Sequence, residues 1–340
     1  MNILQYTPAY PPSVGGLEFV VRSVARALVE LGHDSRILTP QDGPCDDDSE
    51  LGVVRRPSLW EQMDAIGWAD VVVCHQDCLR LAWIMPLSRK PKLMMINVTP
   101  QRRRWPWKVL MRYIVSKCRM QASSRFLAAE VEEMFRVPCG VLPNPYDPRH
   151  FCQPPELTKR DIDFAFVGRL VRLKGADVFV EGLARLAVQG IQPKVAIVGD
   201  GEEHRNLECL LKEHSLDNHV AMLGPLNGER VAEVLRRTYC LVVPSRYEPF
   251  GIVALEGRAC GCELLVTATG GLLEAAGSRA TAVPPGDVDA LADGLLQMLN
   301  ARRARKTPCA HNSEFDPHLQ KHEPRNVAIA YLAALGFRSE

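Results

Sequence analysis

Along the first half of the chain, short apolar runs alternate with helix-length amphipathic stretches, the pattern of βα units that build a parallel sheet. Asn2 to Thr7 predicts the first strand. After the turn PAYPPSVGG, the side chains of Leu17, Val20, Val21, Val24, Leu28 and Leu31 recur at helical spacing, and Gly32 stands where a helix ends. Ser35 to Thr39 returns as a strand, and Gln41 to Glu50 is a polar, acidic loop. Further strands are expected at Gly52 to Arg55, Asp70 to His75, Lys92 to Val98, Met120 to Ser123 and Gly140 to Leu142. The stretch PNPYDPRHFCQPPELTKR reads as a linker, because its prolines end regular structure and stiffen the chain. Beyond it the rhythm restarts, with strands in FAFVG, KVAIVG, HVAMLG, CLVVPS, ELLVTA and TAVPP. Arg302 to Glu323 is polar and rich in Lys, Arg and His, and a short amphipathic helix is expected near Pro324 to Leu335.

This pattern predicts an α/β protein of two doubly wound parallel sheets. The expected first domain covers 1–150, the second 151–312, and a tail with a helix, 313–340, packs back on the first. A length of 340 residues suits two domains of about 150 residues each. No apolar run approaches the roughly 18 residues of a membrane span, and MNILQYTP opens directly into strand pattern without a basic, signal-like start. A cytoplasmic address is the expectation. Eleven cysteines scattered through strands and helices read as reduced thiols in a chain this size, without metal-site spacing. With 41 basic against 40 acidic residues, net charge argues for neither nucleic acid nor an anionic surface.

The segment SRYEPFGIVALEGRACG is the most informative for chemistry. A strand meets a polar turn and then a helix expected to start near Pro249 or Phe250. Glu248 precedes that helix and Glu256 lies about two turns in, so one extended ligand could touch both. The N–H groups of Gly251, Ile252 and Val253 would stand at the positive helix end, which favours a pyrophosphate.

SRYEPFGIVALE resembles the E-x7-E element of the retaining GT-B glycosyltransferases of family 4, also described as glycosyl transferases group 1. The resemblance implies two Rossmann-like domains facing each other across a cleft. It also implies Glu248 on the transferred sugar and Glu256 on the ribose hydroxyls, with Phe250, Gly251, Ile252 and Val253 lining the donor. VGRLVRLKG is similar to the family's GRL-x-x-x-KG pattern, which gives Arg169 and Lys174 the diphosphate and puts Gly168 beside the donor. Two cations there would stabilise the leaving group where other transferases use a divalent metal, so no metal or other cofactor is implied. The stretch VGDGEEHRNLECLLKEHSLDNHVAMLGPL is also similar, and puts Leu223 at the nucleotide base. PPSVGGLE resembles the family's glycine loop, with Gly15 and Gly16 near phosphate. Where many members carry a donor-contacting histidine after the strand KLMMINVTPQ, this chain has Asn97, which can hydrogen-bond but cannot act as an acid.

The function implied is a metal-independent, retaining transfer of a hexosyl unit from a UDP- or GDP-sugar to a glycan or lipid-linked acceptor, as in cell-surface polysaccharide or lipopolysaccharide synthesis. Asn97 supports the alternative of a weakened, nucleotide-sugar-binding or scaffold protein. QRRRWPWKVLMRYIVSKCR, at 101–119, is basic and amphipathic. It suggests peripheral contact with an anionic membrane, at the inner face of the plasma membrane. Nucleic acid is disfavoured, because its aromatic and basic residues sit in one short segment.

Overall fold

A computed structural model describes residues 1–13, 15–76, 88–100, 107–153, 159–304 and 316–337. The chain divides into two compact units, Met1–Tyr146 with Lys321–Glu340, and Asp147–Gln320.

In the first unit the strands are β1 (Asn2–Tyr6), β2 (Asp34–Thr39), β3 (Val53–Arg55), β4 (Val71–His75), β5 (Lys92–Ile96), β6 (Arg119–Ala122) and β7 (Cys139–Val141). They form a parallel sheet in the order β3-β2-β1-β4-β5-β6-β7. Its helices include α1 (Gly16–Glu30), α2 (Leu59–Trp68), α3 (Trp107–Val115) and α4 (Arg125–Phe135). The periodic apolar face of α1 buries Val20, Val21, Val24 and Leu28, and the helix ends before Gly32. On the other face of the sheet, Leu4, Val72, Met94, Ile96, Met120 and Ala122 pack with Met111 and Ile114 of α3 and Leu127 and Val131 of α4. The acidic loop 41–50 is tied down: Asp47 is buried between Arg22 at 2.6 Å and Arg26 at 3.1 Å.

The second unit contains β8 (Ile162–Val167), β9 (Val195–Val198), β10 (Val220–Gly224), β11 (Thr238–Val243), β12 (Glu263–Thr267) and β13 (Thr281–Val283). Its described helices are α5 (Ala176–Val188), α6 (His204–Glu213), α7 (Gly228–Arg237), α8 (Ile252–Ala259), α9 (Leu272–Ala276), α10 (Val288–Ala304) and α11 (Pro317–Gln320). This sheet too is parallel, ordered β10-β9-β8-β11-β12-β13. Phe164 and Phe166 of β8, Phe179 and Leu183 of α5, and Leu291 and Leu295 of α10 fill one core. A last helix, α12 (Pro324–Leu335), returns to the first unit and packs against α1.

The seven and six parallel strands agree with the expected pair of doubly wound sheets. The helix after β11 does not start at Pro249 or Phe250. It starts at Ile252, because Gly251 sits at φ +97°, a left-handed conformation that helical backbone cannot pass through. Phe250 lies before the helix, its ring buried. In the second sheet, chain order reverses between β8 and β11. Open α/β sheets bind ligands outside the carboxyl ends of the strands at such a reversal.

Candidate functional site

The loops leaving β8 and β11 flank that reversal, and each carries a charged residue singled out by the sequence. After β8 the chain passes Gly168 and Arg169 and tightens into a 3₁₀ turn, Arg172–Lys174. After β11 it runs through Ser245, Arg246 and Glu248 to α8. Lys174 Nζ donates to Glu248 Oε2 at 2.5 Å, and Ser245 Oγ donates to the same oxygen at 3.2 Å. Glu248 is buried, while Lys174 keeps about a quarter of its side chain exposed. The Thr267 hydroxyl at the end of β12 donates to the Ser245 carbonyl at 2.5 Å and fixes the turn from below.

Two glycines make this closeness possible. A Cβ on Gly175, at φ +71°, would run into the Pro244 carbonyl oxygen, and one on Gly270, at φ +56°, into that of Glu248. The N–H of Gly271 donates to the same Glu248 carbonyl at 3.0 Å. The loops after β8 and β12 therefore press on the β11 loop at its two ends, Gly175 on the Pro244 carbonyl and Gly270 on that of Glu248, with no room for a side chain at either contact.

At the start of α8, the N–H groups of Ile252 and Val253 precede the first helical hydrogen bond, from Ala254 N–H to the Gly251 carbonyl. They are the orphan donors of a helix start and carry partial positive charge. Glu256 lies further along α8 with part of its side chain at the surface, yet its carboxyl is held in dry surroundings. Burial, and then repulsion from the Asp147 carboxylate, push its pKa up to about 7. Arg169 is exposed and forms no ion pair among the described residues, so of the two expected cations only Lys174 is joined to Glu248. Leu223 lies on β10, partly exposed.

The first unit presents its own set. Gly15 and Gly16 open α1, and the Glu18 side chain folds back over Gly15, accepting from Ser13 Oγ at 2.9 Å. A carboxylate thus stands at the helix start where the sequence suggested phosphate. Asn97, just past β5, is buried with neither amide atom paired, and Ser123 Oγ, just past β6, is likewise buried and unpaired. His75 is fully buried. Its Nε2 lies 3.0 Å from Gln5 Oε1, its ring stacks at 6.2 Å on Tyr331 of α12, and burial lowers its pKa to about 3. Such a histidine is neutral and packs as part of the core.

Of the basic segment 101–119, residues 101–106 lie outside the described residues. In the remainder, Met111, Ile114 and Val115 are buried, whereas Val109, Leu110 and Tyr113 are exposed and Lys117 Nζ lies 5.7 Å from the Tyr113 ring centroid. Among the described residues, no helix is long and apolar enough to cross a membrane, and no group of three or more His, Cys, Asp or Glu could hold a metal ion.

Ser245, Thr267 and an Arg246–Asp177 ion pair were not picked out by sequence. Arg246 sits inside the quoted SRYEPFG motif and Asp177 directly follows KGA, but no spacing rule pairs residues from two different loops.

Residues 151–311 match the family described as Glycosyl transferases group 1. An uncharacterised glycosyltransferase of Methanocaldococcus jannaschii is 27% identical over 81% of this chain and 82% of its own length. A second from that organism is 32% identical over 44% of this chain, a match that spans 42% of the relative's length. Among solved structures, Anabaena HepE in complex with UDP superposes with a TM-score of 0.79 at 17% identity, covering 99% of this chain and 100% of that one. The lipopolysaccharide outer core galactosyltransferase WaaB gives a TM-score of 0.72 at 16% identity over 99% of both chains. These likenesses establish the GT-B type of fold.

Proposed function

We propose, for a chain whose residues 151–311 are a Glycosyl transferases group 1 segment on a GT-B fold, a retaining, metal-independent hexosyl transfer from a nucleotide sugar to a glycan or lipid-linked acceptor. The observation that carries this reading is the Lys174–Glu248 pair at the strand reversal of the second sheet. An ammonium and a carboxylate 2.5 Å apart match a ligand with a diphosphate at one end and a hydroxylated sugar at the other. On this reading Lys174, with Arg169, takes the diphosphate, and the Ile252 and Val253 N–H groups add their partial charge. Preorganised donors of this kind stabilise the charge that develops on the leaving group. Glu248 accepts from sugar hydroxyls, Glu256 from the ribose, and Gly168, Leu223, Phe250 and Gly251 line the donor. The departing phosphate takes the acceptor's proton on the same face, so no separate protein base is required.

The first unit, Met1–Tyr146 with Lys321–Glu340, would hold the acceptor, and Gly15, Gly16 and Asn97 are its proposed donor contacts. UDP is favoured over GDP because a structural neighbour of the same fold was solved with UDP. A lipid-linked or lipopolysaccharide acceptor fits the exposed Val109, Leu110 and Tyr113 beside Lys117, which suit a peripheral position on an anionic inner membrane face. Asn97 favours a second reading, a nucleotide-sugar-binding or scaffold protein with weakened turnover.

The test is a thermal-shift panel of nucleoside diphosphates and their sugars, followed by assays of donor turnover. A ligand of the folded state must raise its melting temperature. The proposal expects a shift with UDP or GDP and turnover that Glu248→Ala abolishes. Shifts without turnover by wild type would favour the scaffold reading, and no shift with any nucleotide would refute both.

A further inference from the structure

Arg246 makes contacts that join all three loops of the site. Its Nη1 and Nη2 donate to Asp177 Oδ1 and Oδ2 at 2.6 and 2.7 Å, a two-pronged pair with the first turn of α5. Nη1 also donates to the Arg172 carbonyl at 2.7 Å, and the Arg246 backbone N–H donates to the Leu173 carbonyl at 2.8 Å. On its other side, the Arg246 carbonyl accepts from Thr269 Oγ1 at 3.1 Å, in the loop after β12. Arg172 and Leu173 are the residues immediately before Lys174, and Arg246 is two residues before Glu248.

Building on the proposed reading of this site, we infer that Arg246 and Asp177 are a positioning pair that sets the distance and angle between Lys174 and Glu248. The chemistry of the contacts supports this. Arg246 is a cation beside the expected diphosphate, yet its two terminal nitrogens already serve Asp177 and the Arg172 carbonyl. The planar fork of arginine, unlike lysine, fixes a carboxylate in both distance and plane. A lone surface pair would contribute little, but this one is about three-quarters buried and supported by three backbone contacts. Freeing it leaves the Lys174 turn held to the Glu248 turn by the Arg246 N–H to Leu173 carbonyl bond, the close packing of Gly175 on the Pro244 carbonyl and the Lys174–Glu248 pair, with no rigid side-chain brace between them. A catalytic cation displaced by a fraction of an ångström stabilises the leaving group less, while ground-state grip through the ribose and base remains.

The experiment uses the full chain with two readouts. The first is steady-state turnover of whichever UDP- or GDP-sugar the wild type accepts, in Asp177→Asn, Arg246→Lys, Arg246→Met and the double variant Asp177→Asn/Arg246→Met. The pair predicts kcat lower by about tenfold or more in each, donor KM within about threefold, and a double variant no worse than the worse single one. The second readout needs no activity: acetylation of Lys174 by acetic anhydride, followed by mass spectrometry with the other lysines as internal reference. Asp177→Asn and Arg246→Met should speed labelling of Lys174 several-fold and leave the reference lysines unchanged. Unchanged Lys174 labelling overturns the inference. So do additive losses in the double variant, or a raised KM at unchanged kcat, which would make Arg246 a direct donor ligand. If wild type turns over no nucleotide sugar, the enzymatic reading fails, and the labelling result still decides whether the pair positions Lys174.

Discussion

The polar residues beside the candidate site in the second unit and those past β5 and β6 in the first are held differently. In the second, Ser245, Thr267, Lys174, Glu248, Arg246 and Asp177 are bonded to one another or to nearby backbone. In the first, Asn97 and Ser123 are buried with side-chain atoms unpaired, as is His75 Nδ1. Strand register puts Ile96 opposite Ala122, both in the core on one face, so Asn97 and Ser123 follow side by side on the other. Unpaired buried polar atoms cost stability, and sites that must receive a ligand are where proteins tolerate that cost. The Lys174–Glu248 cluster has its geometry fixed in advance, whereas Asn97 and Ser123 keep hydrogen-bonding capacity in reserve.

Gly270→Val or Gly175→Val drives a side chain into a backbone carbonyl at positive φ, and either should destabilise the second unit by about 3 kcal/mol or more in urea unfolding. Next in size is the ion pair: Glu248→Gln removes the charge that partners Lys174, and turnover should fall by roughly 100-fold with the fold intact by circular dichroism.

Acid and base separate the two halves by sign. The pKa of His75 is lowered from its ordinary value to about 3 by burial, so the unfolded chain binds the extra proton. The stability it allows is complete above about pH 6.5 and is lost as pH falls toward 3. Glu256 runs the other way. Its pKa is raised to about 7 by burial and Asp147, so the fold is favoured at low pH and loses stability as pH climbs from about 4.5 to 7. Melting curves across pH should show His75→Gln flattening the acid limb and Glu256→Gln flattening the neutral one. An acid limb unchanged by His75→Gln would mean the imidazole is not held neutral. The smallest effect belongs to Ser123→Ala, which removes an unpaired hydroxyl and should change stability by no more than about 0.5 kcal/mol, with a gain as acceptable as a loss.

The repeated βα rhythm was legible because parallel strands buried on both faces must be apolar throughout, and Val71 to His75 or Leu241 to Val243 leave little alternative. α1 was legible from its apolar face. The start of α8 was not, since the letters PFG do not reveal that Gly251 adopts φ +97°. In the site, Glu248 and Lys174 stood out through family resemblance, and their direct contact links loops 74 residues apart. The Arg246–Asp177 pair had no such signal. It depends on how the β8 and β11 loops lie against each other, which adjacent strands decide and sequence spacing does not.

In the proposed reading Lys174 takes the diphosphate and Glu248 the sugar at the strand reversal of the second sheet. Titration calorimetry of UDP and UDP-glucose, or the GDP pair if that base is the one bound, tests it in wild type, Lys174→Met and Glu248→Gln. Lys174→Met is expected to weaken both ligands by about tenfold, whereas Glu248→Gln should leave the nucleoside diphosphate unchanged and remove only the additional affinity for the nucleotide sugar. Equal losses for both ligands in both variants, or none in either, would contradict it.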